Sequence, residues 1–394
     1  MKLFFCVMFA LLFVNCACAQ AATLNASDYT TIQAAIDNST SGDIIFISNG
    51  TYYERLNINK SISLIGESST GVIIDGDYSI YETLSPIHDY WSGCSVLIIQ
   101  SDVDDFNGYN ISNLTLNITL RGDVVSIYAD NVSLSNLTLQ SSRGYFADAV
   151  LYLQGNSANI FNIITKETCN GVYIVSENNY IDNVFTPFDN STLKGISLIG
   201  AKNNTVTNSI TSFYIRSGAE DNYFENNTVK AREKNGIKMN SGMSLAESNK
   251  NRIKNNKVAG RLDLFNSNNN CITYNEISDI LYTYASYNNS FEDNSAPILE
   301  SNGVKIDVSA YQLPPLLLLN NITVYFELTS SLVVNENNTV EVRIYYNKTL
   351  VTLLGILPSK LSIKYYNETS LAWENIPSSV NEKEGYVFAV LTHL

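Results

Sequence analysis

Histidine is nearly absent from this chain, with two in 394 residues. The six cysteines form no cluster with them, which argues against a zinc site. Charge is scarce as well. Asp, Glu, Lys and Arg make up 16% of the residues, against ~25% in a typical globular protein. The charge present is acidic, a net −14 at pH 7, which argues against a nucleic acid held by phosphate neutralisation. After the first 14 residues no long apolar run appears; Leu316–Leu319 is only four residues. A membrane helix needs ~20, so no transmembrane anchor is expected in the mature chain.

The polarity comes from amides and hydroxyls. Asn alone accounts for 50 residues and Tyr for 25, beside a hydrophobic fraction of 45% that speaks for a folded core.

The first residues read as a leader. Lys2 precedes the apolar run Leu3–Val14, and Ala17-Cys18-Ala19 is a cleavage pattern. Residues 1–21 are assigned to a signal peptide, cut after Ala19 or Ala21. The mature protein is therefore expected to be secreted, extracellular and associated with the cell surface. Cys6, Cys16 and Cys18 leave with the leader. Cys94, Cys169 and Cys271 remain, an odd number that fits buried thiols better than a disulfide framework.

The middle of the chain repeats. An apolar-x-Asn-apolar pattern starts at Ile111, Leu134, Ile160 and Ile181. Looser copies start at Val206, Phe224, Ile253, Ile272 and Phe291, at steps averaging 22.5 residues. Period-two alternation of Val, Ile, Leu, Tyr and Thr marks strands, and no helical period runs through the region. Self-similarity at this period means a solenoid. The fold expected is all-β: a right-handed parallel β-helix of about 22 residues per coil, its coils ~4.8 Å apart.

The recurring Asn suits such corners, because Asn tolerates the left-handed conformation and its amide can bond to the next coil. Asn113, Asn136, Asn162, Asn183, Asn208, Asn226, Asn255 and Asn275 are the candidates for an inward ladder. Asn136→Ala is then expected to cost stability. A solenoid needs caps. Thr31–Asp37 reads as a short amphipathic helix with Ile32, Ala35 and Ile36 on its apolar face, placed to cover the first coil.

The opening segments Tyr29–Ile36, Gly42–Ile45, Gly50–Glu54, Ile62–Gly66 and Val72–Gly76 follow in an order that resembles the start of pectin-lyase-like β-helix proteins. That superfamily includes pectin methylesterases and the NosD-like and CASH-repeat proteins. The later Asn-Asn-x-apolar coils look most like the second group, especially surface proteins of archaeal type. The resemblance covers about residues 23–295 and implies fold more than activity. The catalytic segments of pectin methylesterases are not found; Gly144–Ala149 is the nearest stretch and matches poorly. Copper ligation does not carry over either, since His88, His393 and the scattered Met and Cys form no soft-ligand cluster, so no metal site is assigned.

Residues 22–299 are assigned to the β-helix with its helical cap, and 300–394 to an antiparallel β-sandwich. Strand-like runs at 322–328, 340–346, 361–366 and 386–391 carry that assignment. Tyr365-Tyr366-Asn367, Trp373–Pro377 and Thr392-His393 resemble a terminal β-sandwich module of archaeal surface proteins.

Three constellations are candidate sites. Turns before one strand of successive coils carry mixed charge: Arg121 and Asp123, Arg143 and Asp148, Lys166 and Glu167, Asp189 and Lys194, and Arg232–Lys234. Carboxylates paired with cations could act on acidic polysaccharide, with Asp123, Arg143, Asp148, Lys166 and Glu167 as the catalytic set. The competing reading is a solvated edge whose charge discourages aggregation. The insertion between Asp77 and Cys94 holds Tyr78, Tyr81, Tyr90 and Trp91, rings suited to stacking on sugars or to covering the helix flank. Finally, 17 Asn-x-Ser/Thr triplets follow the leader, about twice the ~9 that composition gives. Asn337 and Asn347 are the preferred glycan carriers. Asn113, Asn136 and Asn226 are expected to be shielded in the ladder.

The leading expectation is a secreted or envelope-associated protein without catalysis, binding a polysaccharide or cell-wall glycan or forming part of the surface layer. Cell-surface proteins are further candidate partners. The alternative is a lyase, epimerase or hydrolase acting on acidic polysaccharide. No cofactor is expected, except calcium if it is a lyase.

Overall fold

A computed structural model describes residues 21–76, 95–100, 108–118, 123–141, 149–166, 170–186 and 194–230. With short interruptions it also describes 232–309, 327–330 and 340–391. The leader assigned to residues 1–21 lies outside these except for Ala21.

The chain is a right-handed parallel β-helix followed by small antiparallel sheets. Among the described residues the coils build one sheet of 18 strands and another of 13. The repeat starts read from the sequence are one row of the larger sheet. Ile111 pairs with Leu134, Leu134 with Ile160, Ile160 with Ile181, and so on to Ile272 with Phe291. All of them up to Ile272 are buried, as an inward row must be. The facing row of the smaller sheet includes Ile58, Ile99, Ile127, Leu153, Ile174, Leu198 and Ile215. These are buried too, and the two rows close a continuous core.

The helical cap is present. Ile32–Asn38 is an α-helix with Ile32, Ala35 and Ile36 buried and the Thr31 side chain accepting the Ala34 N–H. Glu54 of a later coil completes the helix start, accepting from the backbone of Ile32 at 2.9 Å and Gln33 at 3.0 Å.

The corner asparagines divide into two kinds, which corrects the expected ladder. Asn113, Asn136, Asn162, Asn183, Asn208, Asn226 and Asn255 all have φ between 51° and 59°, the left-handed corner foreseen. Yet their side chains point outward. Asn136 donates to Asn113, Asn162 to Asn136 and Asn183 to Asn162, forming a ridge on the surface. The inward amide belongs to the next residue, because a left-handed corner turns the following side chain into the core. Asn227, Asn256, Asn275 and Asn294 form one inner ladder with Nδ2 to Oδ1 distances of 2.9–3.0 Å. Asn179, Asn204, Asn222, Asn251, Asn270 and Asn289 form a second, at the other corner, at 2.8–3.2 Å. Of the eight candidates only Asn275 lies inside. Asn113, Asn136 and Asn226 are therefore not shielded.

Cys271 also departs from expectation. Its thiol is free and only partly buried, on an outward strand position. Cys94 and Cys169 lie outside the described residues.

Past the last coil, Ile298–Ser301 still runs parallel to its neighbour, while Val304–Ser309 and Glu327–Ser330 extend the same sheet antiparallel. The remaining strands form a three-stranded sheet of Val340–Tyr345, Tyr386–Leu391 and Ser378–Asn381, and a hairpin of Lys364–Asn367 with Ala372–Asn375. Ile363, Val387, Ala389 and Leu391 are their shared core. A short helix, Lys348–Leu353, was not foreseen.

Candidate functional site

Of the proposed catalytic set, Asp123 and Lys166 are described. Asp123 sits in the turn before the strand Val125–Ile127 of the smaller sheet. Its Oδ1 accepts the Ala149 N–H of the next coil at 2.7 Å, and its Oδ2 accepts from Ser126 Oγ at 3.1 Å. Ser126 Oγ in turn lies 2.7 Å from Ser95 Oγ in the preceding coil. Both carboxylate oxygens thus brace three coils together. Lys166 ends a strand of the larger sheet and is exposed. Arg143, Asp148 and Glu167 lie outside the described residues, as do Tyr78, Tyr81, Tyr90 and Trp91, and Asn337 and Asn347. Arg232–Lys234 forms a strand paired antiparallel with Ile237–Met239, a hairpin that departs from the coil pattern.

The outer face of the smaller sheet carries the richest side-chain array. Strand register aligns Ser126, Tyr152, Tyr173, Ser197, Tyr214, Ser244, Asp263 and Tyr282 in one row along the helix axis. Tyr152 and Tyr173 are stacked, with centroids 5.9 Å apart and planes 21° apart. Tyr128, two residues beyond the row, lies 6.0 Å from Tyr152. Burial pushes the Tyr128 and Tyr152 hydroxyls above their usual pKa, and the Asp123 charge adds to the shift. Both hydroxyls therefore stay protonated well past neutral pH and remain hydrogen-bond donors.

Two arginines extend this face. The Arg216 guanidinium lies 4.8 Å from the Tyr214 ring centre, donates to the Tyr214 hydroxyl at 3.2 Å, and has its Nε buried without a partner. Arg261 lies over the Tyr282 ring at 4.6 Å and pairs with Asp263 at 2.9 Å. Ser244 and Ala246 are the outward residues of the strand between Tyr214–Arg216 and Asp263–Phe265. These small side chains separate the Tyr214–Arg216 pair from the Arg261–Tyr282 pair along the row. Such a surface offers apolar ring area, neutral donors and the Arg216 guanidinium, which pairs with no carboxylate among the described residues, a set suited to a polyhydroxylated ligand.

Sequence reading passed over this row, although a signal exists. Tyr stands between inward residues in Leu151-Tyr152-Leu153, Val172-Tyr173-Ile174, Phe213-Tyr214-Ile215 and Leu281-Tyr282-Thr283. Counting coils from the Asn repeat would have placed these tyrosines in one row. Among the described residues, no group of three His, Cys, Asp or Glu could hold a metal ion. No helix among them is long and apolar enough to cross a membrane.

No family model matches the chain, and no curated protein matches it. Among solved structures it is similar to ORF18 of Geobacillus virus E2, at 14% identity over 91% of this chain and 86% of that one, with a TM-score of 0.49. It is similar to the Dettilon tailspike protein gp208, at 13% identity over 91% and 84%, with a TM-score of 0.47. The A-module of the mannuronan C-5 epimerase AlgE6 of Azotobacter vinelandii shows 14% identity over 71% and 98%, with a TM-score of 0.39.

Proposed function

We propose that this chain is an exported surface β-helix protein of the NosD-like and CASH-repeat kind that binds a polysaccharide or cell-wall glycan without transforming it. The observation that carries this reading is the tyrosine row of the smaller sheet, above all the stacked pair Tyr152 and Tyr173. Rings fixed at coil spacing offer a repetitive surface to a repetitive ligand at little entropic cost, because the strands already hold them. The non-catalytic part rests on two carboxylates among the described residues of the same face. Asp123 is committed to Ala149 and Ser126, and Asp263 to Arg261. A hydrolase of the usual kind needs two carboxyl groups free to exchange protons or attack.

The test is a glycan array probed with the mature protein, followed by titration of the best glycan with Tyr152→Ala and Tyr173→Ala. A loss of roughly tenfold or more per substitution, with unfolding unchanged, is expected for two stacked anchors. Retention of no glycan would remove the binding role. Released product in the same incubations would instead establish an enzyme.

A further inference from the structure

The larger sheet carries a groove of about 800 Å³ lined by Tyr223, Arg252, Lys254, Cys271 and Thr273 and by the corner residues Asn203, Asp221, Lys250 and Asn269. Its charge runs against that of the chain. The protein is −14 overall, yet three of the five residues from Lys250 to Lys254 are cations. Asn251 and Ile253 between them are buried, so all three cations are on the outer face. Lys254 is engaged by Glu225 at 3.1 Å, and Glu225 is held further by Tyr223 and by Asn255. The side chains of Lys250 and Arg252 make no hydrogen bond or ion pair among the described residues, and Asp221 comes within ion-pair distance of neither. On the next coil the small Cys271 and Thr273 lie directly beside Arg252 and Lys254, leaving a depression against the cationic strand.

We propose that this groove is a second binding site, separate from the tyrosine face, which takes the carboxylate or sulfate groups of an anionic glycan. Lys250 stands at a left-handed corner and Arg252 opens the strand Arg252–Lys254, so two cations from adjoining backbone line one groove and can meet anionic groups of one ligand. Thr273 and the corner amides of Asn203 and Asn269 supply hydrogen bonds for neighbouring hydroxyls. An isolated surface cation is worth little, but two convergent cations in a concave site with fixed donors select for charge.

The full mature chain would be titrated with a dextran sulfate oligosaccharide, which carries sulfate alone, and an oligogalacturonate, which carries carboxylate alone. Dextran and polyglutamate serve as the neutral and peptide arms. The variant is Lys250→Asn with Arg252→Ala, since Asn keeps the left-handed corner at position 250 and Ala at 252 creates no acceptor triplet. At least a tenfold loss of affinity for one anionic oligosaccharide is expected, with the unfolding midpoint unchanged. Tyr152→Ala should leave this affinity intact, whatever it does to binding at the tyrosine face. Alkylation of Cys271, followed by peptide mass, should slow when the probe is bound. The proposal is overturned by a variant within twofold of the parent, by equal binding of dextran, by unchanged Cys271 alkylation, or by binding of polyglutamate alone.

Discussion

Asn226 and Asn227 are neighbours in sequence and face opposite sides of the wall. Asn226 has φ of 57° and is exposed, while Asn227 is buried, with its Nδ2 on Asn256 Oδ1 and Val206 O and its Oδ1 accepting from Ser209 N. Asn227→Ala should cost ~3 kcal/mol or more, since several buried groups lose partners at ~1–3 kcal/mol each. Asn226→Ala should cost about 1 kcal/mol, the left-handed conformation being its only demand. Asn226→Gly should cost nothing measurable. Urea midpoints of the three variants test the corner directly, and equal losses at 226 and 227 would refute it.

Asp43 gives the fold an acid limit. It is buried, and its oxygens accept from the backbone of Thr40 and Ala22, both at 2.8 Å, and from the Thr40 hydroxyl. These donors, Thr40's amide first, hold its carboxyl below the usual 3.8. The unfolded chain therefore takes up the proton first. The stabilisation is full above about pH 4 and is lost as pH falls through the lowered folded value. Asp43→Asn should unfold at lower urea at pH 7 and should lose less stability than the parent between pH 5 and the acid limit. Parallel pH profiles would show that Asp43 contributes nothing.

Gly155 is required by a close approach between coils. A Cβ there would lie 1.8 Å from the Ala129 carbonyl oxygen. Gly155→Ala must move one coil away from the next and should cost ~1–3 kcal/mol or more, as overpacking does. Thermal unfolding would show a lowered midpoint; an unchanged midpoint would mean the coils separate freely at this point.

Glu54 ties the capping helix to the stack. Glu54→Ala leaves the Ile32 and Gln33 amides without their carboxylate and should cost ~1 kcal/mol. Hydrogen exchange should quicken across Ile32–Asn38 before it quickens in the coils. Uniform quickening would show that the helix has no separate opening.

The coil register was legible because the repeat starts up to Ile272 are buried apolar residues that recur along one row of the larger sheet. The asparagine ladder was read one residue too early for a physical reason. The left-handed Asn recurs in nearly every coil, whereas the residue after it is Leu114, Leu137, Ile163 and Val184 in early coils and Asn227 and Asn256 only later; Asn275 follows a left-handed Tyr274 instead. The doublets Asn203-Asn204, Asn226-Asn227, Asn255-Asn256 and Asn269-Asn270 held the answer, since two adjacent residues at a corner cannot face the same way. The tyrosine face was harder, because it needs the register of the second sheet. Lys348–Leu353 was missed because its Thr and Val content gives no helical signal.

The two-sided corner also bears on how this sequence would be scanned for modification. Asn113, Asn131, Asn136, Asn203 and Asn226 each combine a positive φ with a buried next residue and an outward Thr or Ser after that. Left-handed Asn, inward residue, outward β-former: those three steric demands spell the acceptor triplet of N-linked glycosylation. A wall of this kind writes such triplets at its bends whether or not any transferase ever meets it. Five of the 17 triplets here sit at such bends, and a count of triplets in any similar solenoid should be corrected for its bends before it is taken as a sign of sugar.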